Sequence, residues 1–212
     1  ALIILAAGKG TRMNSELPKV LHPLAGVPLL EHAMSAGAAL EPERIVVVAG
    51  HGAEQVEEAT RQMNPDATVV LQAEQLGTGH AVDQARAALE DFDGDVIVLY
   101  GDTPFVKPET LAAMLEAHKA GHAVVVLGFT ADDPGRYGRL IQNDAGALTA
   151  IVEAKDATPD ELAVTLCNSG VICADRKQLF DLIADIGNAN ASGEYYLTDI
   201  VAIANDKGLS CT

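Results

Sequence analysis

The sequence predicts an α/β fold built on a doubly wound, mostly parallel sheet with a β-rich insertion on its ligand side. Three observations carry that expectation. Short Val/Ile/Leu runs alternate with helical patterns through the first 130 residues, the rhythm of repeated βα units. The runs are apolar along their whole length, as in DVIVLYGD at Asp95–Asp102, so both faces of each strand are covered. After Thr130 the rhythm changes to strands paired around a turn.

The elements follow in order. LIILA predicts a strand at 2–6, and the periodic stretch that follows VPLL predicts a helix near 27–40. RIVVVA gives a strand at 44–49, AEQVEEATRQM a helix at 53–63, TVVL a strand at 68–71, and a helix is expected at 79–90. DVIVLY supplies the strand at 95–100, TPFVKPET leads into a helix at 108–119, and a strand is expected at 123–129. YGRLIQNDAGALTAIVEAKD then reads as two strands around an Asn-Asp-Ala-Gly turn, followed by a loop and a further strand in TLCNSGVICA. Helices are expected at 175–186 and 194–205, and GLSCT lies inside or just before a strand. No linker divides residues 1–212, which are read as one domain with two halves, 1–130 and 131–212.

Composition narrows the function classes. The 212 residues carry 30 acidic against 14 basic side chains, a net charge of −16, which excludes a general nucleic-acid surface and confines any anion site to a local patch. Apolar stretches such as IVVVAG are strand-sized, far short of the roughly 18 residues a membrane helix needs. ALIILAAG has no charged leader and is expected to be a mature first strand rather than a signal peptide, and the missing initial Met implies a trimmed start. The three cysteines show no metal spacing. Cys167 and Cys173 share one expected strand, which at about 3.3 Å per residue holds them beyond disulfide reach. Reduced thiols and a cytoplasmic setting are expected. His118 and His122 lack the adjacent Glu of a zinc-protease helix and straddle Gly121, so no metal role is assigned to them.

In open α/β sheets ligands gather at the carboxyl ends of the strands. The polar clusters fall there: AAGKGTR, GHG, QAEQLGTGH and GDTP follow the first four strands. The opening LAAGKGTRM, Leu5 to Met13, fails both common phosphate motifs, since it lacks P-loop spacing and has Met13 where a dinucleotide fingerprint needs glycine. Its glycines nevertheless let backbone N–H groups approach an anion. Lys9, Arg12 and Lys19, with Glu16 the only acid up to His22, add a local positive field. Taken alone, the stretch reads equally as an ordinary βα turn with surface cations. Asp102 follows its strand directly and precedes Thr103-Pro104, which makes it either a hard-oxygen metal ligand or a cap of the next helix.

LAAGKGTRM, LPKVL, QAEQLGTGHAV, LYGDTP, YGRL, IVEAKDAT, NSGV and EYYLTDI occur in one order and spacing from Leu5 to Ile200. In this the chain resembles the sugar nucleotidyltransferases, and among them the N-acetylglucosamine-1-phosphate uridyltransferase domains of bifunctional enzymes. The resemblance implies a Rossmann-like fold of the nucleotide-diphospho-sugar transferase type, with a nucleotide-binding half at 1–130 and a sugar-binding half at 131–212 whose C-terminal end is truncated. It implies UTP and N-acetylglucosamine 1-phosphate as substrates, UDP-N-acetylglucosamine and pyrophosphate as products, and Mg2+ as cofactor. The alternatives are another sugar-1-phosphate nucleotidyltransferase or a cytidylyltransferase, which share the opening loop, and a non-catalytic nucleotide-sugar-sensing module of the same fold, which need not keep Arg12, Lys19 and Asp102 together.

By that resemblance Arg12 and Lys19 hold phosphates, Arg12 mainly the leaving pyrophosphate and Lys19 the α-phosphate and sugar phosphate, while Asp102 binds the metal. A second metal ligand, an Asn, falls beyond Thr212. Uridine is expected against Leu5, Ala6, Ala7, Gly8, Gln72, Gly77, Thr78, Tyr100 and Gly101. Gln72 offers a donor and an acceptor to the uracil edge, although a lone Gln at a strand end is otherwise a solvated residue. The sugar is expected against Gly138, Glu153, Asn168, Tyr196 and Thr198, where Glu153 and Asn168 can bond hydroxyls and the acetamido group and Gly138 removes bulk. Tyr196 reads equally as core, and Ser169 keeps the hydroxyl of the Thr that many relatives have. The hexapeptide repeats of an acetyltransferase domain are absent, so no acetyl transfer is expected from these residues, and homo-oligomer formation is left to a longer protein.

Overall fold

The computed structural model describes residues 1–10, 13 and 15–212. The strands are β1 (Leu2–Ala6), β2 (Pro23–Leu24), β3 (Val27–Pro28), β4 (Ile45–Ala49), β5 (Thr68–Leu71), β6 (Asp95–Tyr100), β7 (Val124–Thr130), β8 (Arg139–Gln142), β9 (Leu148–Val152) and β10 (Leu166–Asp175). The helices are α1 (Leu29–Ala38), α2 (Ala53–Met63), α3 (Thr78–Asp83), α4 (Pro108–Lys119), α5 (Pro159–Leu162), α6 (Arg176–Ile183) and α7 (Ile200–Asp206).

The expected α/β architecture is present as an eight-stranded sheet with flanking helices. β1 lies between β4 and β6 with both pairings parallel, and β5 extends the row beyond β4. Alternation along β1 divides the core into two layers. Ile3 and Leu5 pack with Leu179, Phe180, Val201 and Ala204 on the α6 and α7 side, while Leu2 and Ile4 pack with Leu30, Met34, Val56 and Leu111 under α1, α2 and α4. Full burial of each such aliphatic side chain contributes roughly 1.5–3 kcal/mol, and a strand apolar on both faces can supply both layers.

The second half does not stay outside the sheet. β10 enters it between β6 and β7, antiparallel to both, with Ile172 opposite Val98 on one side and Val126 on the other. A register shift between Asn168 and Ile172 bends β10, and its first residues turn toward the β8–β9 hairpin through Cys167 and Arg139. Thus β1, β4, β5, β6, β7 and β8 run one way and β9 and β10 the other. At the end of the chain Cys211 makes a parallel bridge to Val124 beside β7.

Several boundaries move for local reasons. The helix expected from residue 27 begins at Leu29, because Ala25 and Gly26, both at positive φ, turn β2 into β3. The helix expected at 79–90 stops at Asp83 and resumes as a 3-10 turn at Ala87–Leu89. The one expected at 194–205 starts as α7 only at Ile200, since the backbone of Tyr195 is engaged by Leu76 and Gly79. α5 has no counterpart among the expected elements. It is a single turn started by Pro159 and a capping box between Thr158 and Glu161. Cys167 and Cys173 lie on β10 as expected and are buried and free. Burial pushes the Cys173 thiol up to about 12 and Cys211 to about 11. Among the described residues no helix is long and apolar enough to cross a membrane.

Candidate active site

Two cavities adjoin at the carboxyl ends of β1, β5 and β6. The first, of about 360 Å3, is lined by residues that include Leu5, Ala7, Gly8, Lys19, Gln72 and Asp102. The second, of about 680 Å3, includes Arg136, Glu153, Lys155 and Tyr196. Thr78, Tyr100 and Glu194 belong to both and form the shared wall.

Lys19 and Asp102, 83 positions apart in the chain (102 minus 19), meet as an ion pair. Lys19 opens a 3-10 turn after Pro18, and Gly10, at φ +56, brings the opening loop against it: a Cβ there would lie 2.9 Å from Lys19 Cβ. The Asp102 side chain is 25% and that of Lys19 40% exposed, so both charges face the cavity. α4 is preceded by Lys107 and has no side-chain cap, which sets aside a capping role for Asp102. Arg12 lies outside the described residues.

On the base side, Gln72 is only 3% exposed, not a solvated strand-end residue. It donates from Nε2 to the Gly77 carbonyl at 3.1 Å and faces His80 Nδ1 at 3.0 Å. Gly77 sits at φ +116, where an added Cβ would be 2.5 Å from the Tyr195 carbonyl oxygen, so only glycine fits. Leu5, Ala7, Gly8, Gln72, Gly77, Thr78 and Tyr100 therefore share one cavity. The side chain of Ala6 belongs to the opposite core layer. Gly101 is buried behind the wall and donates to the Leu5 carbonyl at 2.9 Å.

On the other side, Glu153 and Tyr196 line the second cavity, so Tyr196 is a wall residue rather than core. Thr198 is buried and donates to Glu153 Oε1 at 3.2 Å. Gly138 lies behind Glu153: a Cβ on it would be 3.5 Å from Glu153 Oε1 and 3.6 Å from Asn168 Cβ. Asn168 holds the β10 bend by accepting from Gly170 N at 2.8 Å. Burial holds the Glu153 carboxyl above its ordinary value, with Asp199 and Asp156 adding to the rise against the Thr198 hydrogen bond. Burial raises Asp199 as well. The Tyr100 hydroxyl is raised by burial and then by Glu153. It stays a neutral phenol.

The cavities are fastened together by backbone. Tyr195 N donates to Leu76 O and Gly79 N to Tyr195 O, each at 2.8 Å, and Leu197 N donates to Thr78 Oγ1 at 3.0 Å. Three contributors escaped the sequence reading. Glu194 opens the quoted EYYLTDI, from which the resemblance assigns Tyr196 and Thr198 but not Glu194. His80 lies inside the quoted QAEQLGTGHAV, two residues past Thr78 in the first turn of α3. Arg139, inside YGRL, is 3% exposed and donates to the carbonyls of Gly135, Tyr137 and Leu162, shaping one rim of the second cavity. Both ring nitrogens of His118 are engaged, Nδ1 by the His122 carbonyl and Nε2 by Asp95.

The chain is similar to known proteins. The family model described as the MobA-like NTP transferase domain matches residues 2–184. The bifunctional protein GlmU of Dinoroseobacter shibae (strain DSM 16493 / NCIMB 14021 / DFL 12) is 66% identical over 209 residues, covering 99% of this chain and 46% of that protein. That of Cereibacter sphaeroides (strain ATCC 17025 / ATH 2.4.3) is 64% identical over 210 residues, with the same coverage of 99% and 46%. The chain thus spans about half the length of the curated relatives it matches. The crystal structure of UDP-glucose pyrophosphorylase complexed with UDP-glucose superposes with a TM-score of 0.78 at 17% identity, covering 97% of this chain and 86% of that one, which shows a common fold.

Proposed function

The chain belongs to the MobA-like NTP transferase domain family, and from that premise we propose that it joins UTP and N-acetylglucosamine 1-phosphate into UDP-N-acetylglucosamine and pyrophosphate. A phosphate oxygen of the sugar phosphate forms a bond to the α-phosphorus of UTP. The bond from that phosphorus to the bridging oxygen breaks, and pyrophosphate leaves with the electron pair. Such a displacement needs in-line positioning and charge neutralisation more than a covalent nucleophile.

The observation that carries this reading is the shared wall: a base-sized cavity with a cation and a carboxylate at its mouth opens beside a second cavity lined by a hydrogen-bonding carboxylate and a tyrosine. Gln72 and the Gly77–Thr78 backbone meet uracil, and Leu5, Ala7 and Gly8 close on the nucleoside. Lys19 neutralises the α-phosphate and sugar phosphate, and Arg12 takes the pyrophosphate. Glu153 accepts from sugar hydroxyls while Thr198 orients it, Gly138 and Asn168 take the acetamido side, and Tyr196 and Tyr100 wall the sugar. The 64–66% identity to bifunctional GlmU proteins supports this choice of base and sugar.

The donor set fits magnesium. Asp102 is a hard oxygen donor at the cavity, and among the described residues there is no group of three or more His, Cys, Asp or Glu side chains to hold a metal by protein alone. That suits an ion held by one carboxylate together with phosphate oxygens and water. When bound, the ion supplies charge neutralisation on the phosphates. The buried cysteine thiols support a reducing, cytoplasmic setting.

The test is pyrophosphate release from UTP and magnesium with a panel of sugar 1-phosphates, on this chain and on a form extended to the length of the bifunctional relatives. N-acetylglucosamine 1-phosphate is expected to give the fastest release. No release with it from the extended form overturns the proposal.

A further inference from the structure

The base-reading Gln72 is held by a neighbour that none of the roles above uses. Both hydrogens of its Nε2 are committed, one to the Gly77 carbonyl at 3.1 Å and one toward His80 Nδ1 at 3.0 Å. Among the described residues no hydrogen bond is made to Oε1. A carboxamide is nearly symmetric in shape, so what it presents to a ligand depends on which end its neighbours fix. Gly77 O can only accept, and that places the amide nitrogen on its side. His80 Nδ1 must then accept too, and its ring is neutral with the proton on Nε2.

On the other side of the ring the Gln84 side-chain nitrogen donates to the His80 carbonyl at 3.0 Å and stands 3.2 Å from His80 Nε2. A neutral imidazole accepts at one ring nitrogen only, so only one of the two amides is hydrogen-bonded to the ring. Gln84 already has its carbonyl partner and is partly exposed, whereas the nearer amide, Gln72, is buried. Nδ1 is therefore the acceptor, and Nε2–H meets Gln84 as a contact.

We propose that His80 is a positioning residue for base selection: by accepting from Gln72 it leaves that carboxamide with only an acceptor for the nucleotide, favouring a pyrimidine with a hydrogen on N3 and disfavouring cytosine, whose N3 is a lone pair. The inference rests on the uridylyl-transfer reading and deepens it. His80 itself does not touch the base. It acts through Gln72.

The experiment measures dissociation constants for UTP and CTP by calorimetry on the wild-type chain and on His80→Leu, His80→Asn and His80→Gln, together with the long-range proton–nitrogen spectrum of the wild-type ring. His80→Leu is expected to lose about tenfold of the UTP preference over CTP, the worth of one neutral hydrogen bond. His80→Asn, whose side-chain oxygen falls near the place of Nδ1, is expected to regain it. His80→Gln, which reaches instead toward the place of Nε2, is not. The wild-type spectrum is expected to show the proton on Nε2. A proton on Nδ1, or an undiminished preference in His80→Leu, overturns this proposal while leaving the uridylyl reading in place. A wild-type chain that binds UTP and CTP alike overturns both.

Discussion

The first cavity takes its walls from the ends of successive parallel strands, whereas the second is assembled from segments that meet only when the second half of the chain has folded back. Leu5, Gln72 and Tyr100 stand at or just past the ends of β1, β5 and β6, whose register fixes their spacing. Glu153, Thr198 and Gly138 come from the residue just past β9, a 3-10 turn at Leu197–Asp199 and the loop before β8. The bent β10 and the strip of backbone from Tyr195 to Leu197 bring them together. The charges differ as well. In the first cavity Lys19 balances Asp102 in an ion pair, while in the second, which Arg136 and Lys155 also line, Glu153 is a partly buried acid held above its ordinary value, with Asp199 outside the lining raised in the same direction. The nucleotide side is organised by topology and the sugar side by contact, so the two should fail differently when damaged.

The largest effect is expected at the charged mouth. Removing one preorganised donor from a developing oxyanion costs about 3–4 kcal/mol in known enzymes, so Lys19→Ala is expected to slow pyrophosphate release about a hundredfold or more. Its thermal midpoint should hardly move, because a partly exposed ion pair contributes only about 0–1 kcal/mol to stability. Near-normal turnover in Lys19→Ala would remove the electrostatic half of the comparison.

Next come two changes at the junction. Gly77 and Gly121 have nearly the same φ, +116 and +110, but a Cβ on Gly77 meets the Tyr195 backbone at 2.5 and 2.8 Å while one on Gly121 meets nothing within 4 Å. Gly121→Ala therefore costs the backbone strain alone, about 1–3 kcal/mol. Gly77→Ala adds a collision with atoms that cannot rotate away, and should be the less stable variant in urea with weaker binding of UTP. Equal losses would show that the junction is slack. Thr78→Val keeps the shape but leaves Leu197 N–H without its partner, a loss of about 1–3 kcal/mol for a buried unpaired donor. Because Thr78 faces both cavities, binding of both the nucleotide and the sugar phosphate should weaken. Weakening of one alone would mean that the cavities are independent.

The same contrast explains what could be read in advance. β1, β4 and β6 were legible because strands covered on both faces carry unbroken apolar runs, β5 was legible from its TVVL run although it is a partly exposed edge strand, and the polar clusters after them fall at the ligand end by topology. Asp102 was legible from its place at a strand end and Lys19 as one of three cations in a local patch, but the phosphate role of Lys19 came only from the resemblance. The entry of β10 between β6 and β7 was not legible, since TLCNSGVICA reads the same at an edge as in the middle of a sheet. α7 was placed early because helical periodicity is visible in sequence while the Tyr195 backbone bonds that delay it are not. His80 and Arg139 were missed for one reason: each acts by holding another group, and neither the 8-residue separation of His80 from Gln72 nor the contact of Arg139 with the Leu162 carbonyl matches a helix or strand period.

The smallest effect, and the one that most sharpens the comparison, is a pH dependence confined to the sugar side. Burial first, then Asp199 and Asp156, hold the folded Glu153 carboxyl above its ordinary 4.5. A carboxyl that binds its proton more tightly when folded gives stability that is complete below its ordinary value and is lost as pH rises through the raised one. Glu153→Gln cannot ionise and still offers an oxygen to Thr198. Its thermal midpoint should match wild type at pH values below the ordinary carboxylate range and lie above it at neutral pH, by about 2–4 °C for each kcal/mol of penalty removed. Some slope should remain in the variant, because Asp199 titrates in the same direction. Affinity for the sugar phosphate should fall at neutral pH, where the charged acceptor has been exchanged for a neutral one. Parallel midpoint curves for the two proteins would mean that Glu153 is solvated rather than held as a buried acceptor, and the second cavity would then have to be reassigned on Tyr196 and Asn168 alone.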